Sequence, residues 1–140
     1  MFDSWLSNST LPALEQTADF AQRRHQLLAG NLANLDTPDY QTRDLSVSEF
    51  QTQLRAATDP LQAQASTYVP GKGQQPVSRQ QAIEKVRDVG KQILYHDGSD
   101  VSLEQQVTEI SKNQSMHNTA IALMRSQFQT LQVAIRESAS

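Results

Sequence analysis

Few side chains in this sequence could do chemistry, and the three histidines are the first to consider: His25, His96 and His117. A zinc site needs two or three such ligands to converge with carboxylates or thiolates. His25 and His117 fall on two separate apolar stripes, and pairing those stripes end to end places them about 11 Å apart along the helix axis. In that pairing His117 faces Leu32 and His25 faces Met124. The histidines therefore predict no metal site.

The segment HDGSD, with Asp97 and Asp100, superficially resembles a cation-binding loop. The ligand spacing of an EF-hand is missing, and a turn followed by a helix start explains both aspartates. The sequence also has no Ser-His-Asp spacing, no G-x-S-x-G and no glycine loop that cradles phosphate. We therefore expect a protein that is not an enzyme, with no catalytic residue, no cofactor and no small-molecule substrate.

Charge and composition exclude further classes of partner. The formal net charge is −3 at pH 7, and no basic stripe is present to displace counterions from phosphate, so we expect no nucleic-acid partner. The chain has no cysteine, which excludes disulfides and thiolate metal sites. Its start, MFDSWLSNSTLPALEQ, lacks the basic region and apolar run of a secretory signal, and no stretch has the length of a membrane helix. We expect no cleaved signal peptide.

The elements that could position these residues begin with an N-terminal helix. It should start at Thr10 or Leu11, because Pro12 then lies in the first turn, where its missing N–H costs nothing. It should stop before Pro38, which pushes Thr37 out of the helical region, and Asn34 is the best candidate for a left-handed cap. Small or apolar side chains, with one histidine, recur at steps of four and three: Leu14, Ala18, Ala21, His25, Leu28, Leu32 and Leu35. This spacing is a heptad stripe.

A second heptad stripe predicts a C-terminal helix of about 33 residues, roughly 50 Å long. Ser102 and Gln105 form a capping box at its start. Its members are Leu103, Val107, Ile110, Gln114, His117, Ile121, Met124, Phe128, Leu131 and Ile135.

The middle of the chain is less regular. Ser46 and Glu49 form a capping box for a short helix, with Val47, Phe50, Leu54 and Ala57 on one side. Residues 58–80 are rich in proline and glycine and predict a flexible loop. Residues 79–90 fit a helix, whereas QILYHDGSD fits a short strand entering a turn, and the sequence leaves these alternatives open.

Each apolar stripe needs a partner, and the other stripe is the nearest. The sequence thus predicts a mainly α protein: an antiparallel, coiled-coil-like pair of long N- and C-terminal helices with a partly irregular central insert. A small helical bundle, with the middle as third and fourth helices, stays open as an alternative.

The remaining apolar faces should be covered by other subunits: Phe20, Leu27 and Ala33 on one helix, and Met116, Ala120, Leu123 and Val133 on the other. Arg23 and Arg24 should form a basic pair on the outer face of the first helix, with Asp19 pairing Arg23.

One stretch, RRHQLLAGNLANLDTPDYQTRDL, resembles the N-terminal signature of bacterial flagellar rod and hook-type axial proteins. Their pattern is Asn-(Ile/Leu)-Ala-Asn, two spacer residues, then Thr-Pro-x-Tyr. Here the motif residues are Asn31, Ala33, Asn34, Thr37, Pro38 and Tyr40. The segment DVSLEQQVTEISKNQSMHNTAIALMRSQFQTLQVAI is similar to the C-terminal helix of the proximal rod members of this family. Together the resemblance covers residues 14–50 and 98–136.

Asp39 departs from this pattern, because the family commonly has glycine there. We therefore expect a turn that does not require a positive φ, such as type I with Pro38 at its second position.

The resemblance implies a structural subunit of the flagellar basal-body rod that polymerises by terminal-helix packing after type III export. Residues 1–40 and 98–140 would form the inner rod-core domain, and residues 41–97 a variable outward insert with a short helix and a flexible loop. The implied partners are copies of itself, other rod proteins, and membrane-ring and export-gate proteins at the rod base. The implied location is the periplasm-spanning rod of the basal body. The motif residues would form the hinge, and the apolar members of both stripes the assembly seam.

Two alternatives stay open. The chain could be another rod paralogue, or a soluble helical adaptor or secretion chaperone, which would be a stable dimer in dilute solution. The first ten residues also remain open, since Phe2, Trp5 and Leu6 fit an export signal, an anchor on a partner or a disordered tail.

Overall fold

A computed structural model describes residues 10–59, 79–95 and 102–138. Within them lie four helices and two short strands, which we number in chain order: α1 (Leu11–Ala33), β1 (Arg43–Leu45), α2 (Val47–Thr58), α3 (Arg79–Val89), β2 (Ile93–Tyr95) and α4 (Leu103–Ser138). The predicted loop, residues 58–80, falls mostly outside the described residues. His96, Asp97 and Asp100 also lie outside them.

The predicted pairing of the two terminal helices is confirmed. α1 and α4 form the most extensive contact between elements, and they run antiparallel, because Thr10 of α1's start contacts Gln127 while Arg24 contacts Glu109. α1 starts where the position of Pro12 predicts, directly after Thr10. α4 is 36 residues long, and the Ser102 hydroxyl accepts the Gln105 backbone N–H at 3.3 Å. We call the end at Ala33 and Leu103 the hinge end, and the other the far end.

The middle of the chain contains both of the elements that the sequence left as alternatives. α3 ends at Val89, and β2 follows after a turn at Gly90. β2 pairs antiparallel with β1, with Arg43 opposite Tyr95 and Leu45 opposite Ile93. The sequence does not predict β1, because three residues carry no periodicity. α2 forms as predicted: the Ser46 hydroxyl accepts the Glu49 backbone N–H, and Phe50 and Ala57 are buried.

The main core lies between α1 and the middle segment. The rings of Phe20 and Phe50 stack with centroids 4.0 Å apart, an arrangement that buries large apolar area in a favourable geometry. Their buried neighbours are Leu45, Ala57, Val86 and Val89, with Leu27 and Met116 packed against the edge. The expectation that other subunits cover Phe20 is therefore wrong, because the middle segment folds back onto that face.

Candidate functional site

The family motif lies at the hinge end, and Asn31 is its buried centre. Asn31 is 1% exposed, and its side-chain Nδ2 donates to the Arg43 backbone carbonyl at 2.7 Å. Its Oδ1 accepts the Arg43 backbone N–H at 2.9 Å. One amide thus pairs with both backbone groups of a strand residue, as a neighbouring strand would. Asn31 fixes the last turn of α1 to β1.

Asn34 ends α1 in another way. It is the C-cap residue, with φ −112 and ψ 17, so the predicted left-handed cap is wrong. Its Nδ2 instead donates to the Gly30 carbonyl at 2.8 Å, and its backbone N–H also reaches that carbonyl. The side chain supplies a donor to the last helical turn, so a left-handed conformation is not needed.

The turn that follows contradicts the prediction for Asp39. The backbone φ of Asp39 is 60, a positive value that a glycine would adopt freely. The Tyr40 backbone N–H donates to the Thr37 carbonyl at 3.3 Å. With Pro38 at the second position and a positive φ at the third, the turn is type II and not type I. Asp39 thus adopts a backbone conformation that glycine takes more readily than any other residue.

Tyr40 folds back over the end of α1. Its hydroxyl lies 3.4 Å from the Asn31 Oδ1, to which it donates, and 3.4 Å from an Arg43 guanidinium nitrogen, from which it accepts. The position where a Cβ on Gly30 would lie is 3.9 Å from the same hydroxyl. Residues 31–43 therefore form one hydrogen-bonded unit at the hinge end.

A charged cluster links three elements next to this unit. Arg24 of α1 donates through Nε and Nη2 to the two carboxylate oxygens of Asp44 in β1, both at 2.7 Å. Its Nη2 also donates to Glu109 of α4 at 2.8 Å, and Lys112 pairs with Glu109 at 2.9 Å. Such a bidentate pair is among the strongest hydrogen-bonded arrangements. We call these residues the Arg24 cluster.

The protonation of the cluster follows from its contacts. Burial lowers the pKa of Arg24, but the hydrogen bonds to Asp44 and Glu109 outweigh this and leave that pKa above its usual value. The hydrogen bond from Arg24, followed by the one from Lys112, lowers the pKa of Glu109. Arg24 and Glu109 are therefore both charged at neutral pH. The prediction of an outer Arg23–Arg24 pair is wrong for Arg24, which is buried, whereas Arg23 pairs with Asp19 at 2.9 Å as predicted.

The register of α1 against α4 differs from the predicted one. End-to-end pairing of the stripes would place Ala21 opposite Phe128, yet the Asn113 Nδ2 donates to the Ala21 carbonyl at 2.7 Å. The helices are displaced by about fifteen residues, or ~22 Å. The stripe of α4 that faces α1 is polar or small (Gln106, Asn113, Ala120, Gln127). The seven-residue spacing of these four residues is the sequence signal for this contact, whereas the more apolar stripe predicts a different register.

The predicted seam residues fall into three groups in the structure. Ala21 and Leu28 are buried; Leu14, Ala18, Ile110, Ile121, Met124 and Leu131 are half-buried; Leu32, Leu103, Val107, Phe128 and Ile135 are exposed. The motif residues Ala33, Thr37 and Pro38 are exposed as well, while Asn31 is buried. The contact between α1 and α4 therefore leaves a large part of the predicted apolar stripe accessible. Whether this stripe is an assembly seam stays a prediction.

The histidines are not brought together. His25 is exposed, and His117 lines a shallow depression beside Glu15 and Asp19. Within residues 10–59, 79–95 and 102–138, no group of three metal-ligating side chains converges. Over the same residues, no helix combines the length and apolar character needed to cross a bilayer.

Two flagellar proteins are similar to this chain over most of its length. It is 31% identical over 118 residues to the flagellar basal body rod protein FlgB of Aquifex aeolicus (strain VF5), covering 84% of this chain and 86% of that protein. It is 23% identical over 130 residues to the flagellar basal body rod protein FlgB of Bacillus subtilis (strain 168), covering 93% and 95%. No family model matches the chain, and no solved structure matches it.

Proposed function

This chain belongs to the family of the flagellar basal body rod protein FlgB, and from that premise we propose that it is a subunit that polymerises within the proximal rod through its terminal helices. A structural role in the basal-body rod follows from the family itself. The finer proposal concerns which surface makes the contacts and how the chain reaches its site.

The observation that supports this proposal most directly is the apolar surface at the hinge end. Leu32, Leu103 and Val107 are 37%, 49% and 48% exposed, although they belong to the two heptad stripes. Exposed large apolar side chains grouped at one end of a subunit are typical of a protein–protein interaction site. We call these three residues the hinge-end surface and assign it to contacts with neighbouring rod subunits.

The buried motif gives this surface its geometry. Asn31 and the Arg24 cluster hold α1, β1 and α4 in one arrangement through directional hydrogen bonds. Leu32 follows Asn31 directly, and Val107 lies two residues before Glu109. A contact that repeats along a helical assembly must recur with the same geometry in each copy, and a rigid support provides this.

Export and partners complete the proposal. We propose that the chain leaves the cytoplasm unfolded through the flagellar type III apparatus, without a cleaved signal, and then contacts copies of itself, other rod proteins and the membrane-ring and export-gate proteins at the rod base. The absence of cysteine fits this route, since no disulfide has to form or break. The inner rod-core domain and the outward insert stay predictions within this scheme.

The test is a charge placed on the hinge-end surface. Val107→Asp should abolish motility and leave basal bodies without a rod, because a buried carboxylate in a subunit contact is costly unless it is paired. Thr108→Asp is the matched control, since Thr108 is exposed and lies about 100° around the helix from Val107. The purified Val107→Asp chain should keep its helical circular dichroism, and the same amount should leave the cytoplasm.

Normal motility of the Val107→Asp strain would contradict the assigned surface. A wild-type chain that is a stable dimer in dilute solution by light scattering would instead favour an adaptor or chaperone. Loss of export in Val107→Asp, with no chain outside the cytoplasm, would contradict an effect on assembly.

A further inference from the structure

The far end of the helix pair carries an apolar surface that α1 does not cover. Gln127 contacts Thr10 at the start of α1, but α4 continues to Ser138, about 16 Å further. Along this extension Phe128 and Ile135 are 52% and 57% exposed, and Leu131 is half-buried. Leu131 and Ile135 follow Gln127 at four-residue steps, so they continue the side of α4 that faces α1.

The chain before Thr10 emerges at this surface. Because α1 runs antiparallel to α4, residues that precede Thr10 start next to Gln127. Nine residues reach ~14 Å as a helix and up to ~30 Å when extended, so they are long enough to cover the extension. Their sequence, MFDSWLSNS, has apolar side chains at Phe2, Trp5 and Leu6, at the three- and four-residue spacing that places anchors on one side of a helix.

Thr10, directly before α1, does not have the usual geometry of an N-cap residue. Thr10 has φ −81 and ψ −4, in the helical region, and its side chain makes no capping hydrogen bond to the first N–H groups of α1. An N-cap residue normally has extended dihedrals and makes that bond. A straight continuation of α1 is disfavoured, because the Pro12 ring would collide with the carbonyl four residues earlier. The Thr10–Gln127 contact fixes the point beside α4 from which residues 1–9 start.

We propose that residues 1–9 dock onto the far end of α4 and cover Phe128, Leu131 and Ile135. The occupant is a segment of the same chain and not a second copy, because it is tethered at the edge of the surface. This tether gives the segment an effective concentration that a dilute partner cannot match. The inference goes beyond the rod function and does not depend on it, since it concerns the isolated chain.

Trp5 is the single tryptophan of the chain and reports on this docking directly. In the full-length wild-type monomer its fluorescence should lie at shorter wavelength than that of free tryptophan, and the position should not change on dilution. Phe128→Ser should move the emission to longer wavelength. Val133→Ser is the matched control, because Val133 is 55% exposed and lies about 200° around the helix from Leu131. It should leave the emission unchanged.

A second measurement protects the test against a variant that unfolds. Because the chain has no cysteine, Leu6→Cys with Leu131→Cys can be joined by a short bifunctional thiol reagent, and an intramolecular product should form in dilute solution. Leu6→Cys with Val133→Cys should give several-fold less. Emission that shifts to shorter wavelength only at high concentration, with crosslinks between chains, would assign the surface to a second copy and overturn the proposal. Solvent-like emission at every concentration, with equal crosslinking of both pairs, would overturn it too.

Discussion

The two ends of the helix pair are held by different kinds of interaction. At the hinge end, Asn31 and Arg24 connect α1 to β1 and α4 through short, directional hydrogen bonds that are largely buried. At the far end, Thr10 and Gln127 form a hydrogen bond between the described parts of the two helices, and apolar side chains such as Phe128 are half exposed beyond it. Polar bonds specify one geometry, whereas apolar surface accepts many partners. The hinge end therefore sets the shape of the subunit, whereas the far end presents the apolar surface onto which we propose that residues 1–9 dock.

Of the substitutions that test this difference between the two ends, one at Arg24 should have the largest effect on stability. Arg24→Met removes the cation and leaves Asp44 and Glu109 facing each other, so we expect a loss of about 3–5 kcal/mol in the free energy of unfolding. Urea denaturation followed by circular dichroism measures it. Arg23→Met is the control, because an exposed i,i+4 pair contributes about 0.3–0.5 kcal/mol. Equal losses in the two variants would mean that the Arg24 cluster does not hold the hinge end.

A smaller loss is expected at Asn31. Asn31→Asp keeps an acceptor for the Arg43 N–H but replaces the donor to the Arg43 carbonyl by a second acceptor, and a buried carbonyl left unpaired costs about 1–3 kcal/mol. Asn34→Asp is the comparison, because Asn34 is only half-buried and water can replace its bond to Gly30. We expect it to cost about 0.5–1 kcal/mol. Hydrogen exchange at the Arg43 amide should quicken in Asn31→Asp alone.

The dependence of stability on acid pH should reveal the contribution of Glu109 to the Arg24 cluster. The pKa of Glu109 is lowered in the folded state by Arg24 and then Lys112, so the unfolded chain binds more protons at moderately acid pH. Its contribution is present above the usual glutamate pKa of about 4.5 and is lost as pH falls through the lowered, folded-state pKa. Glu109→Gln should remove that part of the decline in urea stability below about pH 5.

Lys112→Gln serves as the matched variant for this acid dependence. It leaves the contact between Arg24 and Glu109 in place, and that contact is the larger cause of the lowered pKa. Most of the decline should therefore remain. If the Glu109→Gln chain lost as much stability on acidification as the wild-type chain, Glu109 would not be held by the cluster.

The smallest effect is expected in the turn between the two regions. Asp39 has a φ of 60, which costs a residue other than glycine roughly 1 kcal/mol. Asp39→Gly should therefore raise the free energy of unfolding by about 0.5 kcal/mol after the greater flexibility of the unfolded chain is counted. Asp36→Gly should lower it by about the same amount. A loss of stability in both variants would contradict the type II turn.

Periodicity and capping alone predicted the long elements. They predicted the start of α1 beside Pro12, the capping boxes at Ser46 and Ser102, and the antiparallel pairing of the terminal helices. Each of these features depends on residues close in sequence or on stripes of many side chains. The motif from Asn31 to Tyr40 was identified by its resemblance to the flagellar axial proteins. Its Asn31–Arg43 bonds could not be predicted, since β1 has only three residues and no pattern of its own.

Three features were decided only by the tertiary structure. The register of α1 on α4 follows from Asn113 and the Arg24 cluster, not from the most apolar stripes, because a buried polar group that misses its partner costs more than a partly exposed leucine. The face of Phe20 is covered by Phe50 because the middle segment folds back, which no local pattern records. Asp39 keeps a positive φ because Thr37 and Tyr40, which flank the Pro38–Asp39 pair, are fixed by hydrogen bonds. The sequence by itself determined that the two terminal segments are helical and that they pair; long-range polar contacts decided where along their length they do so.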